Sequence, residues 1–390
     1  MISGHGVRDR AGNRARIRVN VRTTIDPGRN VLAVGVIGCG YGAENLHLPA
    51  MRSLPSVRVV AIADSDPERL RLVGDRFAID RRYHDYEALL RDAEIDAVAV
   101  CVPPGAHAAI TLAVLDAHKH VLVEKPLCLD LDGADRLVER ARRASVTAMV
   151  GFNLRYHRHV RAARQAIAQG RLGPVELVRT VWSSQVRQQA GLPEWRRRRD
   201  LGGGVLNEMA VHHLDLWRFL LGSEVDEIFA SSRTETSDDQ TATLTGRLRN
   251  GALALSGFSQ RAAEAHEIEI YGRQGRLLAS PYRFDGFELG PAATFPGDLT
   301  SRARGLLRTV RALPGMISSV RQGGSFLQSY RDEWQHFTGC VLRGIPPDST
   351  FDDGRRALEL VLAAIDSARS GHPVDVSRLR RPDEPAESSA

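Results

Sequence analysis

The chain has 390 residues, of which 43% are hydrophobic and 26% charged, and its formal net charge at pH 7 is +6. This length predicts two domains, and the composition is typical of a soluble globular protein. No run of eighteen apolar residues is present, so a transmembrane helix is not expected. The basic residues are spread along the chain without a recognition motif, which disfavours nucleic-acid binding.

The N-terminal segment and the spacing of the cysteines bear on the cellular compartment of the protein. The chain begins with MISGHGVRDRAGNRARIRVN, which has no apolar core, so a secretory signal is not expected. No two cysteines form a CxxC pair, which argues against disulfides and a cysteine metal site. The four cysteines are Cys39, Cys101, Cys128 and Cys340. We therefore expect a cytoplasmic protein without a bound metal.

Residues 1–30 and 31–151 differ in pattern. The first segment is polar and rich in arginine, so it is predicted to be a disordered or extended N-terminal arm. In the second, continuous apolar runs alternate with helical patterns, which predicts an α/β Rossmann domain with a doubly wound parallel sheet. The apolar runs are VLAVGVI, VRVVAIAD, DAVAVCV, HVLVEKP and TAMVGFN, and the helical segments include PERLRLVGDRF, YEALLRD, HAAITLAVLDAH and LDGADRLVERARR.

Residues 152–375 show a different pattern. Strand-like runs there are rich in β-forming or alternating residues and meet at turns such as Arg-Asn-Gly, which predicts a large, mostly antiparallel sheet. Together with the helical segments HVRAARQAIAQG, NEMAVHHLDLWRFLLG and DDGRRALELVLAAIDSARSG, these runs predict a C-terminal α/β domain. Residues 376–390 are predicted to be a disordered tail.

Residues 300–322 place apolar residues at helical spacing with arginines between them. A helix packed on the surface of its own domain is the interpretation we favour, and contact with a membrane surface is the alternative. Pro314 is predicted to kink or split this helix.

The first apolar run ends in a glycine-rich turn with the spacing GxGxxA. Gly38 allows a tight turn, Gly40 lets the backbone approach a pyrophosphate, and Ala43 lets the following helix pack close to the strand. The second run ends at Asp64, whose carboxylate would bond both ribose hydroxyls of NAD and repel the 2'-phosphate of NADP. Arg69 nearby keeps NADP possible. The residues predicted to bind the dinucleotide here are Gly38, Gly40, Tyr41, Gly42, Ala43, Asp64 and Arg69.

Only two of the 53 basic residues are lysines, Lys119 and Lys125. Lys125 stands in the motif Glu-Lys-Pro, directly after the fourth apolar run. An ammonium is compact and its pKa shifts readily on burial, whereas a guanidinium stays protonated and cannot act as a base. A site that needs a titratable ammonium is one interpretation, and a structural ion-pair partner is the other.

Taken together, these motifs resemble the Gfo/Idh/MocA family of oxidoreductases. The resemblance covers about residues 31–375 and rests on GVIGCGYGAENLHLPAM, AIADSDPERL, VCVPPGAHAAITLAVLDAHKHVLVEKPLCLD, GFNLRYHRHV, LGGGVLNEMAVHHLDLWRFLLG and DDGRRALELVLAAIDSARSG. It implies NAD(P)-dependent oxidation or reduction at a carbon of a sugar, cyclitol or related polyol. It also implies a homo-oligomer, a dimer or tetramer, formed through the C-terminal sheet.

The resemblance also indicates which groups would move the proton. It places Lys125 beside the nicotinamide and the substrate hydroxyl. Glu208, His212 and Asp215 fall at i, i+4 and i+7, which predicts one helical face. His212 is expected to be the proton acceptor and Asp215 to support it. Glu208 stands where the family usually has Asp, and it is expected to orient the imidazole or to reach the substrate.

Further site residues follow from the resemblance alone. The loop after the third apolar run would cover the adenosine and the ribose, and a Trp-Arg pair would reach the cofactor from the second domain. The predicted cofactor contacts are Val102, Pro103, Pro104, His107, Glu124, Lys125, Trp195 and Arg196. The predicted substrate contacts are Lys125, Asn153, Arg155, Glu208 and His212.

We therefore expect an NAD-dependent oxidoreductase that transfers a hydride between nicotinamide and a secondary hydroxyl or carbonyl of a sugar, sugar derivative or cyclitol. Two alternatives stay open within the same fold. One is an NAD-dependent glycoside hydrolase, and the other is a non-catalytic NAD-binding regulator. The presence of both Lys125 and His212 argues against the regulator.

Overall fold

A computed structural model describes residues 30–185, 193–293, 298–321 and 324–379. The predicted N-terminal arm, apart from its last residue, lies outside the described residues. The described part forms two β-sheets with helices packed against them.

The first sheet has six strands, and all of its pairings are parallel. Its strands are β1 (Leu32–Ile37), β2 (Val57–Ala63), β3 (Arg81–Tyr83), β4 (Ala97–Val100), β5 (His120–Glu124) and β6 (Ala148–Gly151). Their order in the sheet is β3-β2-β1-β4-β5-β6, so the winding reverses between β1 and β4. The prediction of a doubly wound parallel sheet is confirmed.

Both faces of this sheet are buried, which explains its continuous apolar runs. Along β1, Leu32 and Val34 belong to one hydrophobic core and Ala33 to the other. The helices of this half are α1 (Leu48–Arg52), α2 (Pro67–Phe77), α3 (Tyr86–Leu90), α4 (His107–Asp116) and α5 (Leu131–Arg143). Asp66 and Asp130 accept backbone N–H groups in the first turns of α2 and α5, so local chemistry sets where these helices begin.

The second sheet has eight strands in the order β13-β12-β11-β7-β10-β9-β8-β14. They are β7 (Val175–Gln185), β8 (Val225–Arg233), β9 (Thr241–Leu248), β10 (Leu253–Ser259), β11 (Arg261–Gly272), β12 (Gly275–Ala279), β13 (Phe287–Pro291) and β14 (Val374–Asp375). Every pairing is antiparallel except that of β7 with β10. The prediction of a large, mostly antiparallel sheet is confirmed.

The second half of the chain contains the helices α6 (Arg158–Ala168), α7 (Glu194–Arg197), α8 (Val211–Leu221), α9 (Leu299–Arg321), α10 (Gly324–Arg343) and α11 (Phe351–Ser370). Of these, α6, α8 and α11 pack on the second sheet. Buried and exposed residues alternate along β9, as expected for a strand with one covered and one open face.

The C-terminal helices return to the first domain, which a boundary at residue 151 did not anticipate. Tyr330, Trp334 and Phe337 of α10 pack into the core of the first sheet, and α11 contacts α5 as well as α8 and β8. Val376, which was included in the predicted tail, is buried in a 3₁₀ turn that ends at Leu379. The rest of the predicted tail lies outside the described residues.

The basic segment forms the single helix α9, so the split predicted at Pro314 is not found. The helix packs on its own domain, as favoured, but through its small and polar side, where Thr309 donates a hydrogen bond to Asp285. Leu306 is 69% exposed. Leu299, Leu307, Val310 and Leu313 of this helix are also exposed. Within the described residues, no helix is both long and apolar enough to cross a membrane.

Candidate active site

A cavity of about 1180 Å³ lies between the carboxyl ends of the first sheet and the second domain. It adjoins the reversal between β1 and β4, the place where doubly wound sheets bind ligands. The predicted site residues that line it are Gly38, Gly40, Tyr41, Gly42, Asp64, Arg69, Val102, Pro103, Pro104, His107, Glu124, Lys125, Trp195, Arg196, Glu208 and His212. The predicted site residues that do not are Ala43, Asn153 and Arg155.

The glycine turn after β1 leaves room for a ligand. Gly38 has a φ of +95°, and a Cβ there would lie 2.5 Å from the carbonyl oxygen of Cys101, so only glycine lets β1 and β4 end side by side. A Cβ on Gly40 or Gly42 would meet no described protein atom within 4 Å, and both residues face the cavity. Ala43 is fully buried behind the turn. This open backbone cradle fits a dinucleotide pyrophosphate.

Asp64 is held at the end of β2 by backbone groups. Its Oδ2 accepts from the N–H of Cys39 at 2.6 Å and its Oδ1 accepts from the N–H of Asp66 at 2.9 Å. Each carboxylate oxygen keeps a lone pair that could accept from a ribose hydroxyl. Arg69 is half exposed and lies 3.7 Å from Asp66, at the same end of the cavity.

Lys125 lies at the centre of the cavity wall, at the end of β5. Its Nζ donates to the backbone carbonyl of Glu208 at 2.9 Å, which joins the two domains across the site. Burial lowers the pKa of Lys125, and the carboxylates of Glu124 and Glu208 oppose that shift. The ammonium can therefore lose its proton more readily than a surface lysine.

His212 faces the same cavity from the first turn of α8. Burial, together with the neighbouring Lys125 charge, holds its pKa well below the usual value. The centre of its ring lies 5.5 Å from that of the Trp182 ring and 6.3 Å from that of the Phe152 ring. The imidazole is therefore neutral at pH 7 and able to accept a proton.

The carboxylate of Glu208 faces Arg196 and Gln260 instead of His212. Arg196 donates two hydrogen bonds to Oε2, the one from Nε at 2.9 Å, and Gln260 donates to Oε1 at 3.3 Å. The physical reason is a π-helical turn, Leu206–Ala210, just before α8. Its wider turn shifts Glu208 out of the α-helical row that contains His212. The predicted shared face is thus not found, and Glu208 is a counter-ion for Arg196.

Asp215, Arg155 and Asn153 lie behind the cavity wall rather than in it. Arg155 makes two hydrogen bonds to the Asp215 carboxylate, from Nε at 2.7 Å and from Nη2 at 2.5 Å. Asn153 is buried and donates to Ser329 at 2.9 Å. Neither Asn153 nor Arg155 lines the cavity, and their predicted substrate contacts stay a prediction. Asp215 neutralises a buried guanidinium instead of supporting His212.

Glu124 is anchored by a pair that the sequence did not reveal. The indole N–H of Trp334 donates to Nδ1 of His47 at 3.0 Å, which leaves the imidazole proton on Nε2, 2.8 Å from Oε1 of Glu124. Burial alone would raise the pKa of Glu124, but the hydrogen bond from His47 and the neighbouring positive charges together outweigh burial, so the pKa is lowered. An ionised carboxylate thus stays next to Lys125, whose backbone N–H it also binds at 3.0 Å.

His107 fastens two loops of the cavity. Its Nδ1 lies 2.7 Å from the carbonyl oxygen of Pro126 and its Nε2 lies 2.9 Å from that of Val102. These contacts tie the loop after β4 to the Glu-Lys-Pro turn. On the opposite wall, the Arg196 guanidinium lies 5.7 Å from the centre of the Trp195 ring.

Five aromatic residues of the cavity were not predicted, namely Tyr86 and a group of four. Trp182, Tyr282, Phe326 and Tyr330 all line it, and the rings of Tyr282, Phe326 and Tyr330 contact one another in turn. We call these four residues the aromatic wall. Three of the four come from segments that showed no motif, so only their meeting in space indicates a role.

Two family models match the chain. One, described as an oxidoreductase family with an NAD-binding Rossmann fold, matches residues 32–152, and the other, described as the GFO/IDH/MocA C-terminal domain, matches residues 160–278. The chain belongs to the Gfo/Idh/MocA family of oxidoreductases. The family membership inferred from the sequence motifs is confirmed.

Individual relatives agree with this family. The myo-inositol 2-dehydrogenase of Thermotoga maritima is 29% identical over 358 residues, which cover 89% of this chain and 99% of the relative. The D-apiose dehydrogenase of Paraburkholderia graminis is 28% identical over 354 residues, covering 88% and 89%. The crystal structure of an oxidoreductase from Agrobacterium radiobacter in complex with NAD+, L-tartaric acid and magnesium superposes with a TM-score of 0.74, at 25% identity and covering 90% and 99%. The expected NAD(P)-dependent oxidoreductase is confirmed at this level.

Proposed function

We propose that this Gfo/Idh/MocA protein is an NAD-dependent dehydrogenase that oxidises a secondary hydroxyl of a sugar, sugar derivative or cyclitol. The observation that carries the proposal is that Lys125 and His212, from different domains, line one cavity with the glycine turn and Asp64. The substrate class is supported by relatives named as inositol and apiose dehydrogenases. Reduction of the corresponding carbonyl is the reverse of the same reaction, and formation of NADH from NAD is its direct test.

The proposed mechanism assigns separate tasks to the two titratable groups. Bound NAD would supply the acceptor for the hydride. His212, neutral because of its lowered pKa, accepts the hydroxyl proton. The Lys125 ammonium stabilises the alkoxide as it forms and can exchange one of its own protons with it, because the ammonium is compact and its pKa is lowered. The Arg196–Glu208 ion pair keeps the charge beside these groups balanced.

The cofactor preference is proposed to depend on Asp64. A 2'-phosphate would meet the Asp64 carboxylate, so Asp64→Ala is expected to improve the ratio of kcat/KM for NADP to that for NAD by at least about tenfold. Steady-state kinetics with both cofactors measures this ratio. Asp80→Ala, which removes an exposed carboxylate outside the cavity, is the matched control and should leave the ratio unchanged. The same ratio in wild type and Asp64→Ala would remove Asp64 from the cofactor site.

Removing the charge of Glu208 and removing the charge of Arg196 should shift the pH profile of the enzyme in opposite directions. The Glu208 carboxylate raises the pKa of Lys125 and the Arg196 charge lowers it. Because Lys125 acts as an ammonium, activity is lost as the pH rises through its pKa, so Glu208→Gln should move the basic limb of the kcat/KM profile to lower pH and Arg196→Gln should move it to higher pH. Profiles recorded between about pH 5 and 10 measure both shifts. Two shifts of the same sign would contradict the proposed role of Lys125.

We also propose that copies of the chain associate through the open face of the second sheet. Phe229 of β8 and Leu255 of β10 both pair with Thr245 of β9, so the three side chains form a row on that face. Leu253 beside them is 54% exposed. A group of exposed apolar side chains of this kind is typical of an association surface. Native mass spectrometry of the wild type and of Leu255→Glu tests this assignment.

A further inference from the structure

The proposed mechanism leaves the aromatic wall without a task. Trp182 of this wall is fixed in the second sheet, where it is in register with Phe258 on one side and His266 on the other. Its indole stacks on the His266 ring, with 4.5 Å between the ring centres and an interplanar angle of 4°. The centre of the same indole lies 5.5 Å from the centre of the His212 ring. Trp182 therefore connects the proton acceptor to the rest of the wall.

Tyr282 is held by the wall in one orientation. Its hydroxyl oxygen accepts a hydrogen bond from Nε1 of Trp182 at 3.0 Å. The centre of its ring lies 5.1 Å from that of the His266 ring and 6.2 Å from that of the Phe326 ring, and both pairs are T-shaped. It is nevertheless 47% exposed and lines the cavity. The phenol is thus fixed by the protein and open to a ligand.

The hydrogen bonding of Tyr282 leaves its hydroxyl proton available for a ligand. An indole N–H can only donate, so the bond from Trp182 occupies a lone pair of the Tyr282 oxygen and not its proton. Within the described residues, no acceptor for that proton is found. Burial raises the pKa of Tyr282, so the group stays a neutral donor. The oxygen is a poor general base, because it already binds a donor and keeps its proton.

We propose that Tyr282 is a specificity-determining residue that donates its O–H to a substrate oxygen distant from the reacting carbon, while the Phe326 ring packs on a C–H face of the substrate. The inference rests on the proposed dehydrogenase function. Because the Trp182 indole contacts His212 with its ring and Tyr282 with its N–H, we assign to Tyr282 a different substrate oxygen from the one that His212 deprotonates. The class that fits is a ring polyol, since a ring holds that oxygen and a flat C–H face in a fixed relation. An acyclic polyol lacks both constraints.

The test compares Tyr282→Phe with the wild type on myo-inositol, D-glucose, their monodeoxy analogues and the acyclic polyol D-glucitol. Tyr282→Phe keeps the ring and removes the donor, so kcat/KM for the best ring substrate should fall roughly 10- to 100-fold. For one monodeoxy analogue, the one that lacks the oxygen bound by Tyr282, the two proteins should differ by less than about twofold. Tyr271→Phe is the matched control, because the Tyr271 hydroxyl donates to Glu269 outside the cavity and its loss should change no kinetic constant.

Calorimetry of the same compounds with the NADH-loaded proteins separates this inference from the proposed function. Binding without any turnover would contradict the dehydrogenase, and a weaker affinity of Tyr282→Phe would still support the inference. Equal affinities and equal kcat/KM values of wild type and Tyr282→Phe for every ring compound would overturn it. So would a preference for D-glucitol over the rings, or a wild type that binds none of the ring compounds.

Discussion

Lys125→Ala is expected to lower kcat by at least about 10³-fold while the Kd for NAD changes by less than about tenfold. The alkoxide that forms as the hydride leaves would lose its neighbouring cation, and the water that replaces the ammonium cannot exchange the proton as efficiently. The glycine turn and Asp64, which hold the dinucleotide in our proposal, are untouched by this change. Steady-state kinetics and calorimetry with NAD measure the two quantities, and a turnover near that of the wild type would remove Lys125 from the mechanism.

The other lysine of the protein provides a matched control. Lys119 is 8% exposed, and its Nζ donates to the carbonyl oxygens of Asp92 at 2.9 Å and Ile95 at 2.8 Å. A compact ammonium fits this buried site, so Lys119 persists in an arginine-rich protein for a structural reason. Lys119→Arg should therefore reduce the free energy of unfolding by about 1–3 kcal/mol and leave kcat of the folded protein unchanged.

Lys125→Arg should be nearly as inactive as Lys125→Ala. A guanidinium keeps the positive charge but cannot exchange a proton, and it is too large for the contact with the Glu208 carbonyl. If Lys125→Arg retained wild-type turnover, the charge alone would be sufficient and the proton exchange assigned to Lys125 would be wrong.

His212→Asn is expected to lower kcat by about 10²- to 10⁴-fold, because the amide group cannot accept the hydroxyl proton. In the wild type His212 must be neutral to act, so activity is lost as the pH falls through its pKa. Burial lowers that pKa below 6.5, which places the corresponding acidic limb of the kcat profile below about pH 6.5. This limb should be missing from the profile of His212→Asn.

A second buried histidine controls for the loss of an imidazole. His120 lies in β5, away from the cavity, and its Nδ1 accepts the N–H of Thr147 at 2.9 Å. His120→Asn should lower the thermal midpoint and leave kcat and its pH profile unchanged. Equal losses of kcat in His120→Asn and His212→Asn would show that the effect comes from destabilisation and not from the missing proton acceptor.

The first domain could be predicted closely from the sequence because its strands are buried on both faces. Such strands appear as continuous apolar runs, and the run predicted to end at Asp64 corresponds to β2, which ends at Ala63. The glycine spacing was equally informative, because the φ of Gly38 and the close approach of Cys101 demand that residue. These features depend mainly on residue types and spacings within short segments.

The parts of the site that the sequence did not reveal depend on distant contacts. Trp334 and His47 are 287 positions apart, and together they fix Glu124. Arg155 was predicted to face the substrate, yet it binds the buried carboxylate of Asp215, and a charged residue type alone does not distinguish these environments. A single π-helical turn displaced Glu208 from His212, since an extra residue in a turn breaks the i, i+4 row.

Hydride transfer to NAD from a ring polyol can be tested in a single assay. Protein purified without added cofactor would be examined by native mass spectrometry and then mixed with NAD and a panel of sugars, sugar acids and inositols, with absorbance followed at the nicotinamide wavelength. We expect bound NAD and net formation of NADH with at least one ring member of the panel. Bound NAD with no net NADH on any member would contradict it, and release of free sugar from glycosides under the same conditions would identify the hydrolase instead.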